Sequence, residues 1–178
     1  MNFRATRILA AALLASSCGL AISATATANF TVTATVAANC TVTTATSTMA
    51  FGTYVPGTPK TGTMVVSLNC TNSTPYTVGI SDGSGGGTAT STRLMKSTAT
   101  PADTLEYNLY TNVGHTNYWS DPLGYAPTDT HAVSGIGAGM LATATTMTVY
   151  GLLPDSTNNQ VAKPHADYSD LITVNVYY

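Results

Sequence analysis

Charge is scarce in this 178-residue chain, which has six Lys+Arg, eight Asp+Glu and a single glutamate, Glu106. No basic run or patch is present, so the sequence has nothing to neutralise a phosphate backbone or an anionic bilayer. Nucleic acid and charged lipid surfaces are therefore excluded as partners. Cysteine is equally sparse, three in all, and none stands at C-x-x-C spacing, so a structural zinc site lacks its ligand pattern. No helical period longer than two turns survives beyond residue 28. There is no G-x-S-x-G elbow for a serine nucleophile, and "SDGSGGG" lacks the GK[ST] ending that cradles phosphate. The chain is predicted not to be an enzyme, and neither a cofactor nor a metal is expected.

What is present begins with "MNFRATRILAAALLASSCGLAISATATA". Arg4 and Arg7 precede an apolar run and then small residues, the order of a secretory signal peptide, with cleavage expected after Ala28. Ala24-Thr25-Ala26 is a second small-x-small site two residues earlier. The apolar run is short for a bilayer span and no cations follow it, so no membrane insertion is expected once the signal is removed. A lipoprotein reading through Cys18 lacks the large aliphatic residue such sites favour. Export leaves Cys40 and Cys70 as one pair in an oxidising compartment, read as a disulfide, with two unrelated buried thiols as the alternative. The exported chain keeps four bases against eight acids, a net of −4.

Apolar content is 44% with 15 glycines, and threonine is abundant, a composition that suits sheet and turn rather than disorder. "ANFTVTATVAANC" opens the exported chain with Phe30, Val32, Ala34 and Val36 alternating against Thr31, Thr33 and Thr35, the period of a half-buried strand. Similar alternation recurs in "CTVTT", "TMVVSLNC", "PYTVGIS", "TLEYNLYT" and "TTMTVYGLL", and "RLMK" is a shorter candidate. It ends with Ile172, Val174, Val176 and Tyr178 in "DLITVNVYY". "DGSGGGTATST" reads as flexible loop and "NYWSDPLGYAPTDTHAVSGIGAG" as a long polar connection. About seven short strands between turn signals predict an all-β, immunoglobulin-like sandwich in one domain, with a closed barrel as the alternative.

Other chemistry has little support. His115, His131 and His165 lie in polar loops near Asp121, Asp129 and Asp167 in sequence but share no ligand motif. Glu106 falls on the polar side of its strand, which argues against a buried acid for sugar hydrolysis. Tyr118, Trp119 and Tyr125 could form an aromatic sugar-binding surface, which keeps a secreted carbohydrate-binding or adhesin module as a competing reading.

The order of the motifs is more specific than any one of them. An alternating first strand leads into Cys40, followed by "FGTY" at 51–54, "VVSLNC" ending at Cys70, "PYTVGI", "RLM" at 93–95, "YNLY" at 107–110, "YGLLP" at 150–154 and "DYSDLITVNVYY". In this order the chain resembles the spore coat protein U family, which includes the pilin subunits of archaic chaperone–usher pili. The chain departs from the family where "HADYSD" has Ala166 and Asp167 in place of a common glycine.

The resemblance implies an incomplete sandwich that lacks its last strand and is completed by a donor strand from another subunit. It implies a signal peptide at 1–28, a donor strand at 29–38 and a sandwich at 39–178. Phe30, Val32, Ala34 and Val36 would fill a neighbour's core. Ile172, Val174, Val176 and Tyr178 would line the open groove, and the terminal carboxylate would be anchored by a chaperone. The implied partners are identical or related pilin subunits, a periplasmic chaperone and an outer-membrane usher. The product would be a structural subunit of a non-covalent fibre, exported through the periplasm to the cell surface, with a role in adhesion or biofilm formation. A spore or cell coat protein is the alternative. A hydrophobic strand pattern at both ends of the exported chain fits such an assembly, because a bare apolar edge would otherwise aggregate.

Overall fold

The computed structural model describes residues 24–44 and 48–178, so the expected signal peptide as far as position 23, Cys18 included, lies outside the described residues. The chain divides into a short unit ending at Thr35 and a main unit, Val36–Tyr178. In the short unit, residues 24–35 form neither helix nor strand, and Phe30, Val32 and Ala34 are exposed. Alternation alone predicts a strand there. A strand exists only where a neighbour takes up its N–H and C=O groups, and that neighbour is not a property of the local sequence.

The main unit is built of antiparallel strands. In chain order they are β1 (Cys40–Thr44), β2 (Lys60–Cys70), β3 (Pro75–Ile80), β4 (Arg93–Ser97), β5 (Thr104–Tyr110), β6 (Val133–Ile136), β7 (Thr145–Leu153), β8 (Tyr168–Ser169) and β9 (Val174–Tyr177). A single helical turn, α1 (Thr157–Gln160), follows β7 and is N-capped by Ser156, whose side chain accepts from the Asn159 amide. The strands form a six-stranded sheet in the order β1-β2-β7-β5-β4-β8 and a three-stranded sheet in the order β6-β3-β9. The sequence led us to expect about seven strands. The additional ones, β6 and β8, have four and two residues, too short to leave a periodic signature, and β6 lies inside the stretch read as a connection.

Period-2 alternation sets the core. Val66 and Leu68 of β2, Tyr76, Val78 and Ile80 of β3, Leu105, Tyr107 and Leu109 of β5, and Val149 and Leu153 of β7 are all buried. Cys40 and Cys70 are directly opposite in the β1–β2 register and are joined by a disulfide. The covalent link thus coincides with the first rung of the ladder, where the chain enters the sandwich.

Two buried polar side chains fasten the end of the sandwich beyond β3. Arg93, 0% exposed, donates from Nε and Nη2 to the Ser81 carbonyl, from Nη2 also to the Ile80 and Trp119 carbonyls, and from Nη1 to Asn108 Oδ1 at 2.5 Å. Trp119, 1% exposed, donates from its indole to the Val78 carbonyl at 3.0 Å. The loop carrying Trp119 then crosses the outer face of the small sheet. Gly79 permits this, because a Cβ there would sit 2.7 Å from Pro122 Cδ. Burial on this scale is tolerable for a cation only when its donors are matched, and here oxygen acceptors from four residues match them.

Two outcomes test this account. Cys40→Ser with Cys70→Ser, which opens a loop of sequence separation 30, should lower stability by about 3–4 kcal/mol in the chain-entropy model, measured as a fall in the denaturant midpoint with a somewhat steeper slope, since the unlinked denatured chain exposes more surface. Arg93→Met should cost about 3 kcal/mol or more, because it leaves buried acceptors without donors, and a thermal melt within a degree of the parent would refute the fastening role.

Candidate functional site

The small sheet has three strands to cover a face made by six, and β9 is its last strand. Val174 and Val176 of β9 pair in register with Ile80 and Val78 of β3. Among the described residues the other edge of β9 has no ladder partner. The outward side chains of β9 are tied down: Asn175 Nδ2 donates to Asp121 Oδ2 at 2.5 Å and the Tyr177 hydroxyl to Asp121 Oδ1 at 2.8 Å. Its inward side chains, by contrast, are only half-buried although they pack against the core.

Beside that edge lies an apolar cleft of about 370 Å³. Its floor takes at least one residue from every strand of the large sheet: Thr44 of β1, Met64 of β2, Val149 of β7, Tyr107 and Leu109 of β5, Met95 of β4 and Tyr168 of β8. Ile80, Ile172 and Val174 supply the wall on the side of the small sheet. A second cleft of about 830 Å³ continues past Met95 and Tyr168 to Leu105, Leu153 and Ala162.

Residues 48–54 lie across these clefts and contribute Met49 and Phe51 to both. These two side chains press on bare backbone. Gly62 of β2 and Gly151 of β7 are directly opposite in register, and a Cβ on Gly151 would stand 2.5 Å from Met49 Sδ and 2.9 Å from Phe51 Cζ. The paired glycines thus form a seat for this strap. Its end is latched by Tyr54, whose hydroxyl donates to Asp155 Oδ1 at 2.5 Å, while the Gly57 amide donates to the same oxygen. Burial and then the neighbouring carboxylate push the Tyr54 hydroxyl up to about 12, so it stays protonated as a donor throughout the physiological range.

Further carboxylates fasten the opposite wall. Asp103 accepts from His165 Nε2 at 2.8 Å and pairs with Lys163 Nζ at 2.9 Å. Asp167, in the departure "HADYSD", accepts from Ser97 Oγ, Thr98 Oγ1 and the Ala99 amide. Those bonds, that from Thr98 first, hold its carboxyl down at about 2. Asp170 accepts from the Ser84 and Gly85 amides, and its other oxygen accepts from the Tyr107 hydroxyl at 2.6 Å. The glycine-rich stretch, read from the sequence as a flexible loop, is therefore a set of turns lying flush on β4, with Gly83, Gly86 and Gly87 at positive φ.

Among the residues singled out from the sequence, Ile172 and Val174 line the smaller cleft. Val176 packs against the core one rung further along, and Tyr178, 54% exposed, lies beyond the strand and outside the lining. Phe30 and Val32 are 87% and 81% exposed in the short unit, and Val36 is 82% exposed just before β1. The three histidines are separated: His115 packs edge-on to Tyr110, His131 is beside Asp129 and His165 is on Asp103. Among the described residues no three His, Cys, Asp or Glu side chains are grouped as a metal site. Trp119 is in the core and Tyr118 stacks on Tyr110, so of that aromatic trio only Tyr125 presents a half-exposed ring. The strap and its glycine seat went unread in the sequence. A glycine inside each of "KTGTMVV" and "VYGLL" was the available signal, since a strand-interior glycine marks a close approach.

The molecule is thus an all-β, two-sheet protein with an exposed strand edge above an apolar cleft. The model of the Spore Coat Protein U domain matches residues 26–175, and the chain belongs to that family. Among solved structures the chain is similar to one in the chaperone–tip adhesion subunit pre-assembly complex, CsuC–CsuE, from archaic chaperone-usher Csu pili of Acinetobacter baumannii. The two share 20% identity and a TM-score of 0.48, over 81% of this chain and 41% of that one. The chain thus spans about two fifths of that chain's length. No curated protein matches the chain. Among the described residues no helix is long and apolar enough to cross a membrane.

The Asp167 contacts give a pH dependence with a definite sign. A carboxyl held down at about 2 against an ordinary 3.8 stabilises the fold above pH 3.8, and that contribution is lost as the pH falls towards 2. Asp167→Asn should therefore lower stability at neutral pH and flatten the acid limb of an unfolding titration between those values, so that variant and parent converge near pH 2. An unaltered acid limb would show that Asp167 does not hold the wall.

Proposed function

We propose that this chain is a structural subunit of a surface fibre assembled by donor-strand exchange. In this reading residues 29–38 of one copy enter the cleft beside β9 of the next. The observation that carries it is the complementarity of two exposed features. Among the described residues, one is an alternating apolar segment without a strand partner, and the other is a strand edge without a ladder neighbour above an apolar floor. The family supports the same reading, since its resemblance to archaic pilins implies a missing last strand.

Docking of one Phe and two Val from water contributes roughly 5–8 kcal/mol, and each ladder bond adds about 0.5–1.5 kcal/mol. Phe30, Val32, Ala34 and Val36 would face the floor while Thr31, Thr33 and Thr35 face outward. Until a neighbour arrives, a periplasmic chaperone would cover the same edge, with Ile172 and Val174 beneath it, and an outer-membrane usher would receive the complex. The expected signal peptide at 1–28 and passage through the periplasm to the cell surface belong to this proposal. So does a role in adhesion or biofilm formation.

The test is the ladder of detergent-resistant, heat-labile oligomers on unboiled gels. Val32→Asp places an unpaired carboxylate in the neighbour's apolar floor, at a cost of several kcal/mol, comparable with the whole side-chain gain. It should abolish the ladder while monomer remains folded. Thr33→Asp, on the outward face, should preserve it. Equal ladders from the two variants would remove the donor role.

A further inference from the structure

The floor of the smaller cleft is unusually rich in one residue. Three of the chain's six methionines, Met49, Met64 and Met95, reach it from three separate segments, the strap, β2 and β4. All three are half-buried and pack against the core, whereas Met147 of the same large sheet is buried within it. A thioether on an unbranched stem fills irregular space and shifts among rotamers at little cost. Branched aliphatic residues present a fixed relief instead. Of the other floor residues, Val149, Tyr107 and Leu109 belong to the closed core of β5 and β7 and are held there by packing, while Thr44 and Tyr168 lie on the two edge strands of the sheet. Rigid and adaptable side chains are therefore segregated, with the adaptable ones where the cleft opens.

Resting on the proposed exchange of strands, we infer that this methionine-lined floor makes the cleft tolerant, so that it accepts apolar strands of differing bulk and not only the Asn29–Val36 pattern of its own kind. The occupant remains an extended segment with apolar residues at every second position, supplied by a second copy or by a related chain. What the methionines determine is how sharply the cleft discriminates among such segments. Specificity is a difference of affinities, and a floor that repacks reduces the difference.

The test uses as parent the full exported chain carrying Val32→Asp, whose own segment can no longer fill a neighbour's cleft, together with fluorescein-labelled synthetic peptides. One has the sequence ANFTVTATVA, and others are altered at the position of Val32 to Leu, Ile or Phe. Capture is read as the fraction of chain carrying label in a detergent-resistant band on unboiled gels. The parent chain should capture the whole set within about threefold of one another. Met64→Leu with Met95→Leu should capture the unaltered peptide nearly as well but reject the bulkiest by tenfold or more, the scale on which a fixed apolar pocket resolves a few methylenes. Should the double variant fold poorly by thermal melt, Met95→Leu alone provides the comparison. Biosynthetic replacement of all methionines by norleucine, which is unbranched but lacks sulfur, should keep the tolerance. The same spread of capture in parent and leucine variants would overturn the inference while leaving strand exchange standing. Failure of the parent chain to capture any peptide would overturn strand exchange itself, and this inference with it.

Discussion

The β9 strand is hydrogen-bonded through one edge to β3, and among the described residues its other edge has no ladder partner. Most features of the site follow from that. A three-stranded sheet cannot cover the face of a six-stranded one, so the floor from β1 to β8 is left with a cleft where a fourth strand of the small sheet would lie. Exposed backbone polar groups and exposed apolar side chains meet along one line there. Each is unfavourable alone, and an extended apolar segment satisfies both together.

The few charges and buried polar groups are used where the sandwich cannot hold itself by packing. Arg93 gathers the carbonyls of Ile80, Ser81 and Trp119 at the end of β3, so the crossing loop and the sheet share one set of donors. Asp121 holds the outer side chains of β9. Asp155 latches the strap through Tyr54, and Asp167 and Asp170 fasten loops to the segment that leads into β9. Four of the chain's eight acids thus act as receptors for hydroxyl and amide donors around the cleft. A chain with so little surface charge relies on these local carboxylate contacts to position its loops, and the depressed carboxyl of Asp167 reflects that.

Much of the fold was legible because it rests on alternation. In β2, β3, β5 and β7 the apolar positions picked out by period two are buried apart from Met64, while β3 and β5 bury Thr77, Asn108 and Tyr110 as well. The pairing of Cys40 with Cys70 followed from compartment and count. The short strands β6 and β8 were not legible, since two to four residues hold no period. The burial of Arg93 was not legible either: "RLMK" is only a short strand candidate, and the carbonyls brought to Arg93 by β3 and the Trp119 loop are what make its burial tolerable. The site divides the same way. Ile172, Val174 and Met64 could be picked from pattern as members of apolar strand faces. That they share a cleft with Met49, Phe51 and Met95 could not, because the cleft is assembled from segments far apart in the chain.

The sequence by itself determined which faces of the strands are apolar, where turns interrupt them, the family to which the chain belongs, and that the segment from Phe30 to Val36 alternates without a turn to fold it back. These depend on near neighbours and on composition, which act before any tertiary contact exists. Only the tertiary structure decided that β9 would be an edge, that Gly62 and Gly151 would stand opposite each other beneath Met49 and Phe51, and that the six strands of one sheet would share a single cleft. Those outcomes depend on strand order and register, which are set by contacts between distant segments, and no local pattern encodes which strand will be left without a neighbour.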